Sequence, residues 1–353
     1  MRGKIWIAVA VLVVLTGAAA GAGWYWMTGP LYRPGDVRAG KDVAEPLQPP
    51  AQQASAPRWT VAPGIELHHF EEGSGRQILT VHGGPGFAPT APWRAGRELS
   101  GRYELVYYHQ RGCGQSSRPI AHFPDPNFYQ NMLTAHRLLG LPAQVGDIER
   151  IRRILGRDKL ILMGHSFGAL LAAMYAAEFP ERVSALVLVA PANLAVLPSK
   201  TGDLFDLIRQ HLPASMSGEY EKYLAEYFDF HGAFARTDQQ SSAFYGRFGK
   251  YYVAAGGALP AGGDVGGAGF VPLAVFLGMG KHHDYSAALR AVKAPVLVIH
   301  GANDLQPEAA SRNFAALFSN SRFVSVEGAG HFVFNDRPEE FAAVVRNFLD
   351  PLQ

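Results

Sequence analysis

The segment Gly164-His-Ser166-Phe-Gly168 sets a serine between two glycines, directly after the apolar run Leu160–Met163 and before the small residues Ala169, Ala172 and Ala173. A strand that turns abruptly into a helix in this way lifts the Ser166 hydroxyl above a sheet, because residues without side chains let the turn close tightly. The helix start brings free amides and a favourable dipole to a place where negative charge can develop. A serine is a weak nucleophile unless a base takes its proton and an acid orients that base. In a strand–turn–helix architecture these partners follow in the order acid, then base. Val296–His300 leads into Asp304 on the loop Gly301-Ala-Asn-Asp304-Leu-Gln-Pro307, and Arg322–Val326 leads into His331 after Glu327-Gly-Ala-Gly330. Both lie beyond the carboxyl ends of strands, at the edge where Ser166 emerges. Asp336 is the reserve acid, and His165 and His300 read as supports of the site.

A third glycine-rich segment, His82-Gly-Gly-Pro-Gly86, follows the strand Gln77–Val81. Its glycines let the backbone curl so that the Gly84 amide, paired with that of Phe167, forms an oxyanion hole. His82 is expected to brace this loop. A fourth segment, His109-Gln-Arg111-Gly-Cys-Gly114-Gln-Ser116, is by itself a polar glycine loop after Glu104–Tyr108.

The elements needed to position these groups are legible as an alternation of short apolar runs and helical patterns. Strands are predicted at Ile65–Phe70, Gln77–Val81, Glu104–Tyr108, Leu160–Met163, Leu186–Val189, Val296–His300 and Arg322–Val326. Helical spacing marks Val145–Leu155, Ala169–Glu178, Glu308–Phe318 and Glu339–Leu349. Apolar strands without alternation are covered on both faces, as in a parallel sheet flanked by helices. The rhythm breaks between Pro191 and Tyr285, where helical patterns rich in Tyr and Phe read as an insertion above the sheet.

Ahead of this region, Ile5 to Met27 holds no charged residue and as a helix would reach about 35 Å, enough to cross a bilayer. Trp24, Tyr25 and Trp26 fall where an aromatic belt would lie. Residues 1–29 are therefore expected to be a membrane anchor, or a signal segment if cleaved near Ala18–Ala20. Arg2 and Lys4 put the N-terminus inside and the folded domain outside the cytoplasm, periplasmic or extracellular, or secreted after cleavage. Residues 30–58, rich in Pro, Ala and Gln, read as a partly extended spacer or else as a disordered tail.

Composition narrows the function. The 353 residues carry 32 Lys plus Arg against 30 Asp plus Glu, a net charge of +2, which gives no electrostatic case for nucleic acid. The single cysteine, Cys113, excludes an intrachain disulfide and a Cys-built zinc site. Three adjacent residues, His282, His283 and Asp284, do not converge on one ion, so no metal is expected, and the chemistry needs no cofactor.

Taken together, His82-Gly-Gly-Pro-Gly86, Gln110-Arg-Gly-x-Gly-x-Ser116, Asp147-Ile-Glu149, Gly164-x-Ser-x-Gly168, Asp304 and Gly330-His331 resemble the α/β-hydrolases, and within them the proline iminopeptidase group. The resemblance covers about Trp59 to Gln353. It implies an α/β fold with a mostly parallel eight-stranded sheet flanked by helices, the core at 59–190 and 286–353, and a helical cap at 191–285. It also implies release of an N-terminal residue, often proline, from small peptides or amides, with acidic cap residues holding the substrate ammonium. Glu219, Glu221, Glu226 and Asp229 are the candidates, although each reads more readily as part of a solvated helix face. Tyr220, Tyr223, Tyr227 and Phe228 either line an apolar pocket or form cap core. The chain departs from the group at His109, where Asp is usual, at Phe167, where Trp is frequent, and in having no tryptophan after Trp93. The expected function is a serine hydrolase acting on a peptide, aminoacyl amide or ester. A carboxylesterase or lipase-like acyl hydrolase is the alternative, and a membrane-tethered, non-catalytic binding protein is the reading of another class.

Overall fold

The computed structural model describes Tyr25 and residues 28–53, 57–259 and 267–352. Among the described residues ten strands form in chain order: β1 Arg58–Ala62, β2 Ile65–Gly73, β3 Arg76–Val81, β4 Tyr103–Tyr108, β5 Leu160–His165, β6 Val183–Val189, β7 Val196–Leu197, β8 His283–Asp284, β9 Val296–Gly301 and β10 Ser321–Val326. Eight of them make one sheet in the order β1-β2-β4-β3-β5-β6-β9-β10. β1 and β2 run antiparallel to their neighbours, whereas the six strands from β4 to β10 in that order are parallel.

Alternate side chains of a strand point to opposite faces, and here both faces are covered. Leu162 and Val298 enter one apolar cluster with the helices Leu141–Ile154 and Phe167–Glu178. Ile161, Met163, Leu297 and Ile299 enter the other with Leu99, Phe341 and Val345 from the helices Ala95–Leu99 and Pro338–Leu349. Two-sided burial explains why β5 and β9 read as unbroken apolar runs. The register matters most for function. Val81 pairs Gly164, His165 pairs Val189, Val189 pairs Ile299, and Gly301 pairs Val326. The carboxyl ends of β3, β5, β6, β9 and β10 thus align, and the loops that leave them share one edge.

Between β6 and β9 the chain forms helices Leu204–His211, Ala214–Tyr227, Asp238–Gly246, Phe248–Ala254 and Val271–Met279, with β7 and β8 paired as a two-stranded ribbon. Tyr220, Tyr223 and Tyr227 are buried there against Phe244, Tyr245 and Tyr251, which makes them cap core, while Phe228 is half exposed.

The extended spacer is corrected by the structure. Residues 28–53 lie as a strap along the sheet-and-helix core. The buried Tyr32 donates its hydroxyl to Glu178 Oε1 at 2.9 Å, and the amides of Gly35, Val37 and Arg38 donate to the same carboxylate at 2.8, 3.4 and 3.0 Å. Gln52 exchanges hydrogen bonds with the backbone of Thr60 at 2.9 and 3.0 Å, adding a side chain to the outer edge of β1. Proline suppresses helix and ladder formation, but it leaves the other amides free to bind buried charged groups. The apolar run expected to anchor the chain, Ile5 to Met27, lies outside the described residues apart from Tyr25. Among the described residues no helix is long and apolar enough to cross a membrane.

Candidate active site

β5 ends by turning sharply into the helix Phe167–Glu178, with Ser166 at the turn in a strained backbone conformation of φ 53° and ψ −120°. Both flanking glycines are required by space. A Cβ on Gly164 would strike Gly168 and lie 2.6 Å from Ala169 Cα, and one on Gly168 would collide with the carbonyl oxygens of Val81 and His82. The turn is held by the Ser166 amide donating to Val189 O at 2.9 Å and by the Ala192 amide donating to Ser166 O at 3.1 Å.

Asp304 and His331 meet on the loops after β9 and β10. His331 Nδ1 lies 2.7 Å from Asp304 Oδ2, with the carboxylate side chain 1% exposed and the imidazole 12%. The second carboxylate oxygen accepts the Gln306 amide at 3.0 Å, and Gln306 Nε2 donates to Pro191 O at 2.9 Å. The Asn303 amide donates to Ala329 O at 2.8 Å and so joins the acid loop to the base loop. With Nδ1 facing a carboxylate, the proton sits there and Nε2 is left as the acceptor. Burial pulls the His331 pKa down, but the charge and hydrogen bond of Asp304 and the charge of Asp336 outweigh it and raise it above the ordinary histidine value. Asp336, the reserve acid, acts elsewhere, its carboxylate accepting the Gly330 amide at 2.8 Å.

Ser166 and His331 approach through their neighbours. His165 Nε2 faces the main-chain carbonyl of His331 at 3.0 Å, and the two imidazole rings lie 4.7 Å apart. No hydrogen bond joins Ser166 to the imidazole among the described residues. Catalytic hydrogen bonds are often long in unliganded enzymes and shorten with substrate bound.

The loop after β3 passes next to the serine. A Cβ on Gly83 would lie 2.9 Å from Ser166 Cβ, and Gly84 adopts φ 123°. Phe167 opens its helix, so its amide has no intrahelical acceptor, and the Gly84 amide donates to no group among the described residues. His82 braces this loop: Nδ1 faces Gly83 O at 2.9 Å, Nε2 accepts the Gln110 amide at 3.0 Å, and burial lowers its pKa to about 3. Gln110 closes the contact by donating Nε2 to His82 O at 2.8 Å. His109, in the position where Asp was expected, is held by Pro89 O and the Gln115 amide, both at 2.9 Å.

The cap glutamates expected to hold an ammonium group face cations of the cap instead. Glu219 pairs with Lys250 at 2.5 Å and accepts from Tyr251, Glu221 pairs with Arg209 at 2.6 Å, and Glu226 lies 3.7 Å from Arg247. All three carboxylates are at least half exposed. Asp229 caps the short helix Phe230–Ala233 by accepting the Gly232 amide at 2.9 Å. The helical spacing that puts these acids on one stretch carries no information about the cations brought beside them.

Three contributors go beyond what the sequence assigns. Tyr252 of the cap stands with its ring 6.3 Å from the His331 ring, Gln306 ties the acid loop to the end of β6, and Asp336 orders the amide next to His331. Of these only Asp336 stands out in the sequence, as a spare acid. A hydroxyl, an imidazole held by a carboxylate, and amides without acceptors are the groups that acyl transfer needs.

Comparison with known proteins agrees with this fold. The family model described as alpha/beta hydrolase fold matches residues 77–338. A proline iminopeptidase of Heyndrickxia coagulans is 24% identical over 303 residues, covering 82% of this chain and 96% of the relative. Among solved structures, an esterase from Thermogutta terrifontis superposes with a TM-score of 0.55 at 22% identity, over 86% of this chain and 99% of that one. A proline iminopeptidase of Mycobacterium smegmatis does so with a TM-score of 0.53 at 20% identity, over 82% and 95%. With its sheet order, its strand–serine–helix turn and a match spanning most of its length, the chain belongs to the alpha/beta hydrolase fold family.

Proposed function

We propose that the protein is a serine hydrolase that cleaves an amide or peptide bond through an acyl-enzyme, releasing an N-terminal residue in the manner of the iminopeptidases it resembles. Ser166 attacks the carbonyl carbon while His331 takes its proton and then gives it to the leaving amine. Asp304 keeps the imidazole in the required tautomer and stabilises its cation. The Gly84 and Phe167 amides receive the tetrahedral oxyanion. Water activated by His331 then frees the serine. The reading rests above all on the 2.7 Å contact of Asp304 with His331 beside the strained serine turn. The curated relatives named proline iminopeptidases favour an aminoacyl substrate.

A carboxylesterase is the second reading, and the neutralised cap glutamates favour it, since an ester needs no ammonium anchor. Two experiments test these readings. A fluorophosphonate probe is expected to label Ser166, and Ser166→Ala to abolish both labelling and turnover; turnover surviving in that variant sinks the serine mechanism. Rates on proline p-nitroanilide, with the amine free and acylated, against p-nitrophenyl acetate then separate peptidase from esterase. A requirement for the free amine favours the first, and indifference to it the second.

A further inference from the structure

Beneath the oxyanion loop lies a buried charge cluster with one member from the strap. Arg111, Arg150 and Asp147 have no exposed side-chain surface. Asp147 accepts Nε and Nη2 of Arg111 at 2.7 and 2.6 Å and Nη1 of Arg150 at 2.8 Å. Two guanidiniums on one carboxylate leave a positive charge without a counter-charge, away from water, an arrangement that burial strongly disfavours. Glu45 supplies the missing charge. Its oxygens accept Nη1 of Arg111 at 3.2 and 3.1 Å, and Oε2 lies 3.7 Å from Nη2 of Arg150. Arg150 in turn donates to the main-chain carbonyls of Glu45 and Pro46 at 2.6 and 2.9 Å, which fixes the strap on the helix Leu141–Ile154.

This cluster is one residue away from the site. Gln110, next to Arg111, makes two hydrogen bonds to His82, at its ring nitrogen and its carbonyl, and His82 holds the Gly83 carbonyl. Gly83 touches the serine turn and Gly84 carries the amide assigned to the oxyanion. Displacing the Arg111 loop therefore moves the donor that must meet the developing charge, and small displacements of such donors are costly in rate.

We propose that Glu45 is a positioning residue for the acyl transfer proposed above, on which this inference rests: it balances the Arg111–Asp147–Arg150 cluster and thereby sets the loop that carries the Gly84 amide. Within the strap this role belongs to the segment at Glu45 and Pro46, which alone touches the cluster, and not to the segment at Tyr32.

The test uses the full-length chain with p-nitrophenyl acetate, kcat being expressed per serine titrated by a fluorophosphonate so that unfolded protein does not count. Glu45→Gln, equal in shape but uncharged, is expected to lower kcat about tenfold with KM changed less than twofold. Tyr32→Phe, which loosens the strap at Glu178 and removes a hydroxyl that bonds no member of the cluster, lowers the melting temperature and leaves kcat unchanged. The double variant Glu45→Gln with Arg150→Gln restores charge balance and recovers kcat to within about threefold of the parent; it also serves if the single variant does not fold. A kcat for Glu45→Gln within twofold of the parent, an equal loss in Tyr32→Phe, or no recovery in the double variant overturns the proposal. Activity persisting in Ser166→Ala overturns the serine mechanism instead, so the two failures are told apart.

Discussion

His165 donates through Nε2 to the main-chain carbonyl of His331 at 3.0 Å, so the residue before the serine holds the residue proposed as the base. A carbonyl only accepts, which fixes the proton on Nε2, and burial keeps the ring neutral by lowering its pKa well below the ordinary value. The bond sets the spacing between the β5 turn and the loop after β10. His165→Ala is expected to lower kcat about tenfold with little change in KM, because the groups remain but their alignment is lost. Steady-state kinetics on p-nitrophenyl acetate check this, and an unchanged kcat removes the bridging role.

The raised pKa of His331 has a sign that can be measured. The base acts only when neutral, so acidification through a value above the ordinary 6.5 or so abolishes activity. In Asp304→Asn the larger raising charge is gone, and burial, opposed by the charge of Asp336, draws the midpoint to lower pH, while kcat falls by roughly 10³–10⁴. Profiles of kcat/KM from about pH 5 to 9 are expected to show the acid limb and its shift. A flat profile in the parent speaks against His331 as the base.

Space at two glycines gives opposite stability predictions. A methyl group on Gly168 has nowhere to go between the carbonyls of Val81 and His82, so Gly168→Ala is expected to destabilise by about 3 kcal/mol or more. Gly218, inside the helix Ala214–Tyr227, has open space around its Cβ direction and ordinary helical backbone. Gly218→Ala is expected to stabilise by about 0.5–1 kcal/mol. Denaturant melts of the two variants decide both.

The paired cap glutamates yield another kind of prediction. Each carboxylate already has a cation beside it on the cap surface, which weakens its pull on a substrate ammonium. Glu219→Gln, Glu221→Gln and Glu226→Gln are each expected to change KM for proline p-nitroanilide less than about threefold, since exposed pairs contribute little. A tenfold rise in KM in any one of them restores that residue to the binding site.

The parts of the fold written locally are legible in the sequence, and those made by distant contacts are not. β5 and β9 announce themselves as apolar runs because both their faces are buried, and the serine turn because its glycines leave a mark within five residues. β1 is hard to read because an edge strand of five residues, buried along one side, leaves little pattern. The helix Phe128–Leu139 is equally quiet, although Asn127 caps it by accepting the Tyr129 amide at 2.9 Å. Its apolar face is short and shared with the cap helix Val271–Met279. Asp304 and His331 are legible from their place at strand ends, but the Gln306 and Tyr252 contacts join segments tens of residues apart, and no spacing rule encodes them.

The strap shows the same limit most plainly and carries the last prediction. Its proline-rich composition has no periodicity, yet Tyr32 and Val37 are fully buried, and Glu178 receives a hydroxyl and three amides from it. Glu178 is itself buried, so each donor lost leaves a charged oxygen less satisfied. Tyr32→Phe removes one charge-assisted hydrogen bond and is expected to cost about 1.5–3 kcal/mol. A chain beginning at Trp59 loses all four donors, uncovers the apolar contacts of Tyr32 and Val37, and leaves Arg111 and Arg150 with Asp147 alone. That truncation is therefore expected to be insoluble or to melt at least 10 °C or so below the chain beginning at Thr28, at roughly 2–4 °C per kcal/mol. Thermal melts of the two forms are the check. Equal stability means that the strap rests on the surface without supporting it, and its buried carboxylate contacts then contribute nothing to the fold.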